Sequence, residues 1–160
     1  MLENPENWLT LGVAALGLVF AGLLALARLA SASPDLAPAD GKLPPCPSSP
    51  NCVSSQADPR DETHYLPPLR FQGDPGAAWQ RLEAIVARQP RVTVRSRRPG
   101  YLHAEFRSKI FGFVDDVQFL PDPERRLIHF RSASRAGYSD LGVNRRRIAA
   151  IRAAFQEAAP

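Results

Sequence analysis

The residues best suited to chemistry are concentrated in one stretch, RSASRAGYSDLGVNRRR, from Arg131 to Arg147. Arg131, Ser132, Ser134 and Arg135 alternate guanidinium and hydroxyl groups, and Ser139, Asp140, Asn144 and Arg145 follow across a glycine-containing turn. Planar guanidinium forks hold carboxylate or phosphate by paired hydrogen bonds, so one chemistry for this run is anion binding. Acyl transfer is a second, with Ser139 and Asp140 joined to His103 or His129. That set matches a Ser-His-Asp triad in composition only, because no spacing brings a nucleophile to a base. A third role needs no ligand. Serines between arginines satisfy a strand-to-helix corner by local hydrogen bonds, with Arg135 holding the CPSSPNC loop against it. Residue types alone leave the binding site and the fold-specifying corner both open.

Cys46 and Cys52 are the two cysteines of the 160-residue chain. Pro47, Pro50 and Asn51 between them force a tight turn that could bring the sulfurs together. A disulfide there implies an oxidising compartment such as a periplasm. Two thiols without further ligands cannot make a zinc site, and the sequence calls for no metal and no cofactor. His64, in the loop that follows, reads as polar surface.

These groups must be positioned by the elements around them. Residues 1–30 read as an anchor: Leu9 to Ala30 is an apolar run of about the 20 residues a helix needs to cross a bilayer, with Trp8 at one interface and Arg28 snorkelling at the other. Ala30-Ser31-Ala32 has the form of a signal cleavage site, but Glu3 and Glu6 without a preceding lysine or arginine favour a retained single span. Gly17, Ala21 and Ala25 form a small-residue ridge along which a partner membrane helix could approach. Residues 31–44 read as a Pro-rich tether and 45–160 as one α+β domain, comprising a Cys loop over 45–68 and a body over 69–160. Positive charge lies only after the span, at Arg28 and Lys42, which argues for a cytoplasmic domain; the paired cysteines argue for the periplasmic side.

In the body, a short strand near Leu69 to Gln72 leads to Gly73-Asp74-Pro75, an N-cap and a first-turn proline, and then to an amphipathic helix ending near Pro90. Four strands follow at Arg91 to Arg97, Tyr101 to Ser108, Phe113 to Leu120 and Arg126 to Ser134, joined by turns at Arg98-Pro99-Gly100 and Pro121 to Glu124. A second amphipathic helix runs over Val143 to Ala158, with Asp140 near its start as N-cap. The expected fold is a two-layer sandwich, an antiparallel sheet of four to five strands with two helices on one face. Alternation puts Val92, Val94, Leu102, Ala104, Phe106, Ile128 and Phe130 beneath the helices. It puts Arg95, Arg97, His103, Glu105, Arg107, His129 and Arg131 on the other face, an open basic surface suited to anions unless Glu105, Asp115 and Asp116 pair with its arginines across strands. Phe113 to Leu120 has apolar residues at both parities and reads as buried on both sides.

CPSSPNCVSS at Cys46 to Ser55 and RSASRAGYSDLGVNRRRI at Arg131 to Ile148 together resemble the bacterial and plastid family known as domain of unknown function 1499. The likeness runs from about Pro45 through the last helix. It implies a small envelope- or plastid-associated domain of no established activity. Members often look secreted or lipid-anchored, which favours the extracytoplasmic side. Cys46 here lies well past the apolar run and outside a lipobox, so the helix remains the anchor.

Basic residues number 18 and acidic ones 12 from Leu43 onward, an excess compatible with an anionic lipid, polysaccharide, nucleic acid or acidic protein partner, and equally with a plain solvated basic surface. Nucleic acid is not expected, because there is no recognition helix or nucleic-acid motif. The sequence therefore suggests a membrane-anchored, non-enzymatic accessory protein whose helix packs beside a membrane-protein partner. The alternative is a binding or enzymatic module for an anionic envelope molecule.

Overall fold

The structure is a computed structural model that describes residues 11–20, 22, 34 and 36–158. The chain divides into two compact units, Met1–Ser33 and Pro34–Pro160. In the first, residues 11–20 are helical, and Leu11, Val13, Leu16, Leu18, Val19 and Phe20 are all more than half exposed. Among the described residues no helix is long and apolar enough to cross a membrane. Trp8, Ala21, Ala25 and Arg28 lie outside them. Gly17 lies on the helix with open space where a Cβ would stand.

The second unit is an α+β domain. Its elements are β1 (Cys52–Ser54), β2 (Leu69–Arg70), α1 (Pro75–Ala87), β3 (Val92–Arg98), β4 (Tyr101–Arg107), β5 (Val114–Asp122), β6 (Leu127–Ser134) and α2 (Val143–Glu157). All strand pairs are antiparallel, in the order β1-β6-β5-β4-β3, with β2 also on β6. The sheet thus has six strands instead of four to five. The extra one, β1, lies inside the Cys loop that had no strand pattern of its own, and pairing with Arg131, Ser132 and Ala133, with a parallel bridge from Ser54 to Tyr65, makes it a strand.

Local chemistry explains most boundaries. The Asp74 carboxylate accepts from the Ala77 amide at 2.6 Å, Pro75 opens α1, and Ala78, Leu82 and Val86 recur at a spacing of four on its buried face. Pro99 and Gly100 form the two-residue β3–β4 turn, Gly100 supplying the left-handed φ of 74° that such a turn needs. β5 runs on through Pro121 and Asp122, which pair with Ile128 and Leu127, so its turn begins only at Pro123. Ile148, Ile151 and Phe155 bring α2 onto the sheet beside α1 and complete one core with Leu102, Phe119 and Phe130.

Two expectations about the outer sheet face are corrected. Arg97 is not on it. The register shifts between Val94 and Ser96, and this bulge turns Arg97 toward the helices, where its Nε lies 3.5 Å from Glu83 on α1. Nor is the face open, since His103, Glu105, Asp116, Gln118 and Arg131 are all buried. The carbonyl of Leu36, from the Pro-rich stretch, is held against it by the Tyr101 hydroxyl at 2.9 Å and the Gln118 amide at 2.6 Å. Further on, Leu43 is buried and its N–H donates to Gln56. Burial on both sides, expected for β5, holds from Val114 to Phe119.

Candidate functional site

The β6–α2 connection carries most of the chemistry-bearing side chains, and they turn inward in two groups set by strand parity. On the helix side the centre is Asn144, fully buried on the first turn of α2. Its Oδ1 accepts from Ser132 Oγ at 2.5 Å and from Arg147 Nη1 at 2.6 Å. Its Nδ2 donates to Ser134 Oγ at 3.0 Å and to the Asn51 carbonyl at 3.1 Å. Asp115 on β5 accepts from both Ser134 and Arg147, each at 2.5 Å, and the Arg147 guanidinium also lies 4.7 Å from the centre of the Phe106 ring. Every polar atom of the asparagine amide therefore has a partner, and the partners come from β1's leading residue, β6 and α2.

The same corner is tied to the Cys loop. Cys46 and Cys52 form a disulfide with their Cα atoms 5.7 Å apart. Asn51, one residue before Cys52, donates to the Gly137 carbonyl and accepts from Ser49 Oγ. Arg145 Nη2 reaches the carbonyls of Glu62, Thr63 and Tyr65 at 2.9, 3.0 and 3.4 Å. His64 joins Asp61 at 2.7 Å to the Ser49 carbonyl at 3.1 Å, a contact that holds the Asp61 carboxyl below its usual pKa. Asp140 helps start α2, though from two residues before the N-cap. Gly142 occupies the cap in a left-handed conformation, while the Asp140 oxygens accept from the amides of Gly142 and Asn144 at 2.9 and 2.7 Å. Ser139 Oγ accepts from the Leu141 amide.

Arg135 was expected on the CPSSPNC loop. Odd parity instead places it on the outer face with His103, Glu105 and Asp116. Its Nε and Nη2 donate to Asp116 at 2.7 Å, and Nη2 also to Glu105 at 2.5 Å. Fully buried Glu105 meets Arg95 at 2.6 Å and Arg107 at 3.5 Å, and Asp116 meets His103 Nε2 at 2.7 Å. Burial is the largest influence on Asp116 and opposes its ionisation, but the Arg135 and His103 hydrogen bonds together outweigh it and lower its pKa. Hydrogen bonding to Asp116 likewise raises the pKa of Arg135. Cross-strand pairing of the basic face with Glu105 and Asp116 is thus what the sheet contains.

Arg131 differs. It is 8 % exposed, its Nη1 is 3.5 Å from Gln118 Oε1, and among the described residues its Nε has no hydrogen-bond partner. Burial lowers its pKa. A guanidinium enclosed this way without a bonded carboxylate among the described residues is a costly arrangement.

The histidines do not join Ser139 and Asp140. His129 instead lies against Ser55, which sequence reasoning did not single out, with Nδ1 3.1 Å from Ser55 Oγ and Nε2 4.0 Å from Asp122. The order Ser-His-Asp is there, but 4.0 Å is beyond hydrogen-bond length, and Ser55 Oγ is buried and already accepts from the Phe130 amide at 2.9 Å. The trio fastens the end of β1 to β6, and burial lowers the pKa of His129. A cleft of about 730 Å³ beside the disulfide is lined by Lys42, Asp58, Asp61 and His64 among others, a mixed set away from the paired arginines of the sheet.

Fold and site together define a small α+β domain, disulfide-closed at its entrance, in which a Ser/Arg/Asn corner cross-links the last strand, the last helix and the Cys loop. The family model described as Protein of unknown function (DUF1499) matches residues 42–155, and the chain belongs to that family. The match takes in both CPSSPNCVSS and the Arg131 to Ile148 run. No curated protein and no solved structure matches the chain.

Proposed function

We propose that the chain is a membrane-anchored, non-enzymatic accessory protein, spanning the bilayer once through residues 9–30 and presenting its α+β domain on the extracytoplasmic side. The observation that carries this reading is the helix at 11–20, whose apolar side chains are exposed and have the composition that lipid, not water, would accommodate. Gly17, Ala21 and Ala25 are the ridge along which a partner helix would approach. The disulfide supports an oxidising compartment. The inward-turned corner supports an interaction role over catalysis, since Ser132, Ser134, Asn144 and Asp115 are already hydrogen-bonded to one another.

Alkaline carbonate washing of membranes containing the full chain tests the anchor: retention in the pellet is expected, and release into the supernatant overturns it. An impermeant maleimide applied to intact cells with and without an impermeant reductant tests the side. Labelling of Cys46 and Cys52 only after reduction is expected, and protection until lysis places the domain in the cytoplasm. The partner helix is tested by Gly17→Leu with Ala21→Leu, which should abolish co-purification of any membrane partner.

A second reading rests on Arg131. A buried guanidinium with an unpartnered Nε favours a module that takes a small carboxylate or phosphate on the outer face. Thermal-shift titration with inorganic phosphate and short-chain carboxylates should then raise Tm in the wild type and not in Arg131→Met. Equal behaviour of the two proteins removes this reading.

A further inference from the structure

Two loops close the same end of the sheet. Arg107 pairs with Val114 and Asp115 with Ser134, and the Arg135 amide donates to the Val114 carbonyl, so residues 108–113 and 135–142 leave the sheet side by side. Both reverse the usual distribution of side chains. Ile110 is 81 % exposed and Phe111 53 %, while across on the other loop Tyr138 is 77 % and Leu141 83 % exposed. The first loop is a formed turn: the Ser108 amide donates to the Phe113 carbonyl, the Phe113 amide donates to Ser108 Oγ, and the Phe111 and Phe113 rings lie 5.6 Å apart. Leu141 carries a second cost. Its φ of 53° is in the left-handed region that bulky side chains avoid, so a leucine is kept there, in water, against its conformational preference.

Cations predominate around these tips. Arg91, Arg107, Lys109 and Arg146 are exposed at this end, with the Arg91 Nε on the Arg107 carbonyl and Arg146 Nη1 on the Leu141 carbonyl. Asp140, the acidic residue of the second loop, has its oxygens turned to the Gly142 and Asn144 amides, and Asp115 and Asp116 are buried in ion pairs. Protruding aliphatic and aromatic tips with a cationic rim fit the interfacial zone of a bilayer, where rings sit at headgroup depth and cations meet anionic lipid.

We propose that this end of the domain is a membrane-contact surface, with Ile110, Phe111, Tyr138 and Leu141 entering the interface and Lys109, Arg107 and Arg146 meeting anionic headgroups. The inference rests on the anchored reading above, which brings the domain within reach of a bilayer. It makes the domain doubly attached, by a helix and by its loop tips.

The test uses the full chain in nanodiscs of phosphatidylcholine with or without phosphatidylglycerol, read by amide hydrogen exchange. Exchange at 109–113 and 137–142 should be slower with phosphatidylglycerol, each cation adding about five-fold to the association. The double variant Ile110→Ser, Phe111→Ser should lose this protection while its Tm and the exchange of β4 to β6 stay unchanged. Loops that exchange equally fast in both discs, with the chain still retained in them, overturn the surface and leave the anchor standing. A chain lost from the discs that still floats with anionic vesicles, unless it carries the variant, overturns the anchor and keeps the surface. Loop protection in native membranes but in neither disc assigns the tips to a protein partner and overturns the proposal.

Discussion

The β6–α2 connection and the β4–β5 loop beside it show two opposite uses of side chains at one end of a sheet. In the connection and the strand leading to it, polar residues point inward: Ser132 and Asn144 are fully buried, and Asp115, Ser134 and Arg147 complete their bonds. At the loop tips, apolar residues point outward, led by Ile110 and Leu141. A domain with a small core can fix a corner by hydrogen bonds when apolar contact is scarce, provided every donor is matched. Apolar groups left in water add nothing to that fixation. The difference separates side chains bonded into the fold from side chains left exposed, and stability measurements should divide along the same line.

The strongest break is at Asn144. Asn144→Leu removes both amide atoms and leaves Ser132, Ser134, Arg147 and the Asn51 carbonyl short of partners, so the domain should lose about 3 kcal/mol, read as a lower urea midpoint with an unchanged slope. A loss near zero would mean that the corner is not what holds β6, α2 and the Cys loop together. The disulfide comes next. Opening the loop between Cys46 and Cys52 in a Cys46→Ser, Cys52→Ser variant should cost about 2 kcal/mol on loop-closure grounds. Exchange protection should fall at β1 before the rest of the sheet, since Asn51 and Cys52 carry the loop's bonds to the corner.

A smaller effect should follow pH. Burial lowers the folded-state pKa of His129, with Asp122 pulling upward and Arg125 downward, so the folded state favours the neutral ring. Below about pH 6.5 the unfolded chain binds this proton more readily than the folded one. The His129 contribution is therefore complete above that pH and is lost as pH falls toward the folded value. His129→Gln should make unfolding less sensitive to acid as pH falls below about 6.5, and equal slopes for both proteins would remove His129 as the cause. Asp116 acts lower on the scale. Its lowered pKa contributes stability above about pH 3.9 that is lost on further acidification.

The same contrast explains what the sequence allowed. Elements with a period were legible: the helix faces of Ala78, Leu82 and Val86 and of Ile148, Ile151 and Phe155, and the alternation that put Leu102 and Phe130 inside. The Arg131 to Arg147 run stood out as unusual, but its partners did not, because they depend on register. A single bulge at Arg95 moved Arg97 to the opposite face, and β1, lacking any alternation, exists through its pairing with β6 and the bridge from Ser54 to Tyr65. Ser55 was invisible because its partner His129 lies 74 positions away. The outer face read as open because nothing in a proline-rich stretch signals that the Leu36 carbonyl will settle on Tyr101 and Gln118.

The smallest effect is the most discriminating. Leu141 has a left-handed φ of 53° and is 83 % exposed, so Leu141→Gly removes conformational strain and little else from the folded state. Glycine's greater freedom in the unfolded chain offsets part of that relief, and the net change should lie within about 1 kcal/mol, on the stabilising side. The Ser139, Asp140 and Arg146 bonds in this loop run through backbone atoms of Leu141 and Gly142 and Asn144, which the substitution keeps. A domain that gains stability while its attachment to anionic bilayers weakens would show that the leucine is retained for contact. A clear loss of stability would put Leu141 with Asn144 as part of the corner and move the boundary between the two uses of this end of the sheet.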